Sequence, residues 1–115
     1  MEKEYLSHVV LISFYDTATE EERQKVFDSF QTLPEECGGK EAGILYFQAG
    51  HNLDMRKNVH LVVLSLFRDN AALQAYRNHP KHLAHNELLK RIADWQIGDL
   101  MTPSWGSVDA TLAGR

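Results

Sequence analysis

The sequence of 115 residues has little cysteine, no excess of positive charge and no long apolar run. Its single cysteine, Cys37, cannot form an internal disulfide, and the acidic start MEKEYLSHVV lacks the basic region of a signal peptide. Both features predict a cytoplasmic protein. The net charge of −4 argues against a nucleic-acid partner. The first apolar run is too short to cross a bilayer, so no membrane partner is expected.

The composition is that of a folded globular protein. Apolar residues make up 43% and charged residues 24% of the chain. A chain of this length fits one domain. We place that domain at residues 1–101, followed by a polar tail at 102–115 that is loose or docks on a partner. Cys37 is expected in a surface loop, exposed or half-buried.

Alternating strand and helix signals define the order of elements. Residues 5–15, 43–53, 59–67 and 95–101 are rich in β-branched and aromatic side chains and predict strands. Thr19 and Glu22 form a capping-box pattern that begins a helix over 19–33, which Pro34 is expected to end.

A second helical segment follows the third strand and contains a proline. Asp69 can cap a helix through NAALQAY, and Pro80 is expected to start a new helix that continues to about Asp94. The order is therefore β-α-β-β-α-β, the α+β ferredoxin-like plan with a four-stranded antiparallel sheet and both helices on one face. The segment HLVVLSLF is apolar on both sides, so the second face must also be buried. We predict a homodimer that packs sheet against sheet.

The most unusual stretch is YRNHPKHLAHNELL, residues 76–89, with Tyr76, His79, His82 and His85 three residues apart. Histidine is both the side chain that titrates near neutral pH and the commonest metal ligand. Three histidines at this spacing spread over about 120° of a helix, and no acidic residue completes a ligand set, so no metal site is expected. His85 and His51 are interpreted as surface histidines, and Trp95 and Trp105 as packing groups.

The segments HVVLISF, AGHNL, VHLVVLSLF and above all AYRNHPKHLA resemble the stress-responsive α/β-barrel (Dabb) family over about residues 6–101. The resemblance implies two ferredoxin-like chains paired through their sheets into a barrel. One plant member, the polyketide cyclase olivetolic acid cyclase, closes a linear chain by aldol condensation without a cofactor. In that relative a histidine of the HP.H motif acts as base beside a tyrosine. The corresponding residues are His82 and Tyr76, with His8, His60 and His79 as further candidate binding residues.

Each candidate also has a purely structural interpretation. His82 can serve as a general base and Tyr76 as a hydrogen-bond donor to an enolate, or His82 can simply bond to the preceding loop. His79 is expected to cap the helix that Pro80 starts. His8 and His60 can line one cavity between sheet and helices, or both can be hydrogen-bonded core residues.

Two functions remain open from the sequence. The first is a small cofactor-independent cyclase, isomerase or lyase acting on a carbonyl compound. The second is a non-enzymatic, stress-associated or ligand-binding dimeric barrel with structural histidines. Oxygenase chemistry is less favoured, since the chain has no distinctive heme motif.

Overall fold

A computed structural model of the protein describes residues 4–102. The elements follow the predicted order, with the second helix divided in two. They are β1 (Tyr5–Phe14), α1 (Glu20–Glu36), a 3₁₀ turn (Gly39–Ala42), β2 (Ile44–His51), β3 (Leu61–Phe67), α2 (Asn70–Asn78), α3 (Pro80–Ile92) and β4 (Ala93–Thr102). Apart from Thr102, the predicted tail lies outside the described residues.

The four strands form one antiparallel sheet in the order β2-β3-β1-β4. The sheet register places Val10 of β1 between Val63 of β3 and Ile97 of β4. Because side chains alternate between faces, the even-numbered residues of β1 point toward the helices. The core lies between this face and the helices, and its most deeply buried large side chains are Ile12, Val26, Leu33, Leu61, Val63, Phe67 and Leu73.

Helix α1 begins as predicted and ends later than predicted. The Thr19 hydroxyl accepts from the backbone N–H of Glu22, whose carboxylate in turn accepts from the N–H of Thr19. Pro34 does not end the helix, which continues to Glu36. Pro34 has no N–H to donate to the preceding turn, but the helix still closes after it, because the N–H of Cys37 lies 3.0 Å from the carbonyl of Leu33.

Two other predictions about chain segments are wrong. Cys37 is buried, with 4% of its surface exposed, because it follows the last turn of α1 rather than standing in an open loop. The last strand starts at Ala93 instead of Trp95, and α3 already ends at Ile92. The chain passes from helix to strand without a loop, so Asp94 belongs to β4.

The face of the sheet opposite the helices is largely apolar. Alternation and register put Val9, Leu11, Tyr46, Val62, Leu64 and Leu100 on this outer face. Three of them are exposed, namely Leu64 (45%), Tyr46 (45%) and Leu100 (65%). Between residues 4 and 102, no helix is long and apolar enough to cross a membrane.

Candidate functional site

A cavity of about 150 Å³ opens between the inner face of the sheet and the junction of α2 and α3. Both apolar and polar side chains line this cavity. The lining residues are His8, Val10, Phe30, Val63, Tyr76, Arg77, His82, Asn86, Leu89, Trp95 and Ile97. Three of the five predicted site residues, His8, Tyr76 and His82, therefore share one cavity.

The break between α2 and α3 positions the site. His79 ends α2 and caps α3, and its Nδ1 accepts the backbone N–H of Lys81 at 3.1 Å. Pro80 follows as the first residue of α3, where its missing N–H costs nothing. The capping role predicted for His79 is present, and His79 is not among the residues that line the cavity.

His82 is held in one orientation by the chain before it. Its Nδ1 lies 3.1 Å from the carbonyl oxygen of Arg77. A carbonyl oxygen can only accept, so Nδ1 carries the proton and Nε2 has a free lone pair when the ring is neutral. Burial lowers the pKa of His82 below its usual value, and the Arg77 carbonyl only partly opposes that effect. The ring is therefore neutral at physiological pH.

Tyr76 lies directly against His82 on the last turn of α2. The two ring centroids are 4.4 Å apart, and Phe67 and Phe47 enclose the other sides of the tyrosine. Burial strongly raises the pKa of Tyr76. Its hydroxyl thus stays protonated and has no hydrogen-bond partner among residues 4–102. Behind it, burial raises the pKa of the Cys37 thiol, which lies against the backbone of His82.

His8 enters the cavity from β1 and is paired with a residue that the sequence analysis missed. Its Nδ1–H donates to the carboxylate of Asp99 at 2.5 Å. His8 is buried and also meets the edge of the Phe67 ring. The pair forms because antiparallel β1 and β4 place His8 directly opposite Asp99. The available signal was a lone acidic residue inside the apolar segment WQIGDLM.

His60 does not join His8. It lies just before β3, its Nδ1 accepts the backbone N–H of Phe14 at 3.0 Å, and it lines a different cavity. The possibility that both histidines line one cavity is therefore wrong. In the register of β1 and β3, Ile12 lies opposite Leu61 and His8 lies opposite Ser65. His60 and His8 are therefore separated along the direction of the strands.

His85 is not on the surface, contrary to the prediction. Only 5% of it is exposed, its Nδ1 lies 2.8 Å from the Ser29 hydroxyl, and its Nε2 has no partner in the described part of the chain. Burial lowers the pKa of His85 to about 4. His51 is exposed as predicted and stacks on Phe27. Within residues 4–102, no group of three potential ligands could hold a metal ion.

The family model of the stress responsive A/B barrel domain (Dabb) matches residues 6–102. The chain belongs to this family. The match spans every strand and helix described above, including the junction that carries His79 and His82. No curated protein sequence matches the chain.

Solved structures share the fold at low sequence identity. A dimeric ferredoxin-like protein from Thermobifida fusca has a TM-score of 0.75 and 20% identity, covering 87% of this chain and 92% of that one. A hydroxynitrile lyase from Passiflora edulis has a TM-score of 0.68 and 12% identity, with 86% and 92% covered. A cofactor-independent oxygenase from Streptomyces nogalater has a TM-score of 0.66 and 15% identity, with 84% and 91% covered. These likenesses establish the fold of the Dabb chain.

Proposed function

We propose that this Dabb protein is a cofactor-independent enzyme that removes a proton from the carbon next to a carbonyl group. The reaction would be a cyclisation, isomerisation or lyase reaction of a small carbonyl compound in the cavity of His82. The observation that carries the proposal is that His82, fixed by its bond to the Arg77 carbonyl, lies against Tyr76 in a cavity that His8 also lines.

His82 supplies the base. With Nδ1–H donated to the Arg77 carbonyl, the lone pair of Nε2 accepts the proton from the substrate carbon, and the ring becomes an imidazolium. The electron pair of the broken C–H bond moves to the carbonyl oxygen and forms an enolate. A lowered pKa keeps His82 in its basic form at neutral pH.

Tyr76 and His8 supply the remaining contacts. The Tyr76 hydroxyl donates a hydrogen bond to the enolate oxygen and stays protonated because its pKa is raised. Asp99 holds His8 with Nδ1–H toward the carboxylate, so His8 keeps one orientation in the cavity. In an aldol closure the enolate carbon attacks a second carbonyl, and the His82 imidazolium returns its proton to the new alkoxide.

The test is the exchange of α-protons of cyclohexanone in D₂O, followed by proton NMR. The wild-type protein should accelerate exchange above the buffer rate. In His82→Ala the protein-catalysed exchange rate should be roughly 10²–10⁴-fold lower than in wild type. His51→Ala, which changes an exposed histidine, should exchange at the wild-type rate. Equal exchange in wild type and His82→Ala, with both folded, would rule out His82 as the base.

A second candidate is a non-enzymatic ligand-binding barrel. Its support is that the contacts of His79 and His82 also secure the α2–α3 junction. In that case His82→Ala would lower the melting temperature, and wild-type protein would leave the exchange rate at the buffer value.

We also propose that two chains pair through the outer faces of their sheets. The support is the apolar outer face, on which Leu64, Leu100 and Tyr46 are exposed in the single chain. Similar structures, such as that from Thermobifida fusca, are described as dimeric. The helices cover only the inner face, so such pairing leaves the His82 cavity on the other side of the sheet.

A further inference from the structure

We propose that a second cavity binds small organic acids that carry one carboxylate and an apolar body. This cavity has a volume of about 260 Å³ and lies beside the N-terminal half of α1 and the β2–β3 connection. Its lining includes Phe14, Arg23, Phe27, His51, His60 and Leu61. It shares no lining residue with the cavity of His82 and does not depend on the function proposed above.

Arg23 provides the positive charge. Its Nε donates to the carbonyl of Ala18 and its Nη2 to the carbonyl of Tyr15, each at 3.2 Å. The guanidinium also lies 5.2 Å from the centre of the Phe14 ring. These partners fix the group without neutralising it, and within residues 4–102 Arg23 forms no ion pair. A fixed guanidinium with unused N–H groups suits a carboxylate.

His60 provides a second donor. Because Nδ1 accepts the N–H of Phe14, the proton of the neutral ring lies on Nε2. Burial and the charge of Arg23 lower the pKa of His60, so the neutral ring persists at physiological pH, although Asp16 works in the opposite direction. The cavity therefore combines one cation and one neutral N–H donor. Glu20 also lines it and disfavours ligands with several negative charges.

The remaining walls suit an apolar body. Phe14, Phe27 and Leu61 are apolar, and the His51 ring stacks on Phe27 with centroids 4.4 Å apart and an interplanar angle of 8°. The rim is held in place, since the Asn52 amide donates to the carbonyl of Val59 at 2.9 Å. The volume lies below the range for drug-sized ligands, which points to a single ring or a short chain.

The experiment titrates the full-length protein with benzoate at constant ionic strength and follows amide chemical shifts by NMR. Shifts should concentrate at Phe14, His51 and Leu61. Benzyl alcohol, which lacks the charge, should bind at least about tenfold more weakly. Shifts centred on His8 and His82, or equal binding of the two probes, would overturn the proposal without any variant being needed.

Variants sharpen the test. Arg23→Gln should weaken benzoate binding at least about tenfold, and Arg23→Lys, which keeps the charge without the planar fork, should lie between it and wild type. The matched control is Lys25→Gln, an exposed cation on α1 outside the cavity, which should bind like wild type. Full binding by folded Arg23→Gln would contradict the proposal. His82→Ala should bind benzoate normally, which separates this site from the proposed catalytic one.

Discussion

The Nδ1–H of His82 donates to the carbonyl of Arg77 at 3.1 Å, and this single bond decides which nitrogen of the ring can act as a base. It forms because Pro80 starts α3 and turns the chain between Arg77 and His82. The same turn brings the ring against Tyr76. The local sequence YRNHPKH thus builds both the base and its neighbour.

Asp99 should contribute to the proposed activity through His8. Asp99→Asn replaces the charged carboxylate with a neutral amide, which can donate as well as accept and so no longer fixes one tautomer of His8. We expect the α-proton exchange rate to fall roughly 10–100-fold, by analogy with groups that orient ligating histidines, with little change in melting temperature. Asp94→Asn is the matched control, because Asp94 is exposed on the same strand. An unchanged rate in Asp99→Asn would remove Asp99 from the site.

His79 should matter for stability rather than for chemistry. His79→Ala removes the side chain that caps α3 and should cost about 1 kcal/mol of unfolding free energy. His79→Asn keeps a good N-cap acceptor and should retain most of the stability. Urea denaturation measures both. If His79→Ala remained folded but lost most of its exchange activity, His79 would have to act in the reaction after all.

His85 should make the protein sensitive to acid. Its pKa is about 4 in the folded chain and near 6.5 when unfolded, so the unfolded chain binds the extra proton first. Above about pH 6.5, His85 is neutral in both states and the free energy of unfolding keeps its full value. As the pH falls from there toward 4, that free energy decreases. The loss is roughly 3 kcal/mol at most.

Urea denaturation at pH 7 and pH 4.5 tests this expectation. Stability should fall less steeply in His85→Leu than in wild type over that interval. The exposed His51→Leu is the control and should follow wild type. Identical pH dependence in wild type and His85→Leu would mean that folding does not change the pKa of His85.

Leu64 and Leu83 give a matched test of the dimer. Both are exposed leucines, at 45% and 51%, but Leu64 lies on the outer face of the sheet and Leu83 on α3. Sedimentation at micromolar concentration should give the mass of two chains for wild type and Leu83→Asp. Leu64→Asp should shift the protein toward the mass of one chain. A wild-type monomer would contradict pairing through the outer face.

The features that were predictable from sequence are those encoded by neighbouring residues. The capping box of Thr19 and Glu22 spans four residues, and the break at His79 and Pro80 spans two. The order of strands and helices follows from such local signals and from runs of apolar residues. Tyr76 and His82 share a cavity because they flank the same short turn.

The features that sequence analysis missed depend on distant parts of the chain. His8 and Asp99 are 91 positions apart and meet only through the register of β1 and β4. His85 is buried because it shares one helix stripe with Leu89 and Ile92, whereas Leu83 falls on the exposed side. Residue type alone suggested an exposed histidine and a buried leucine. The hydrogen bond to the Ser29 hydroxyl on α1 makes the burial of His85 acceptable.

The protonation state of the His82 ring is the most direct test of its proposed role as the base. Nitrogen-15 NMR of the histidine side chains, recorded against pH, reports both the tautomer and the pKa of each ring. We expect His82 to be neutral at pH 7, to carry its proton on Nδ1 and to titrate below the usual value of 6.5. A proton on Nε2 at pH 7, or a pKa above 6.5, would contradict His82 as the base.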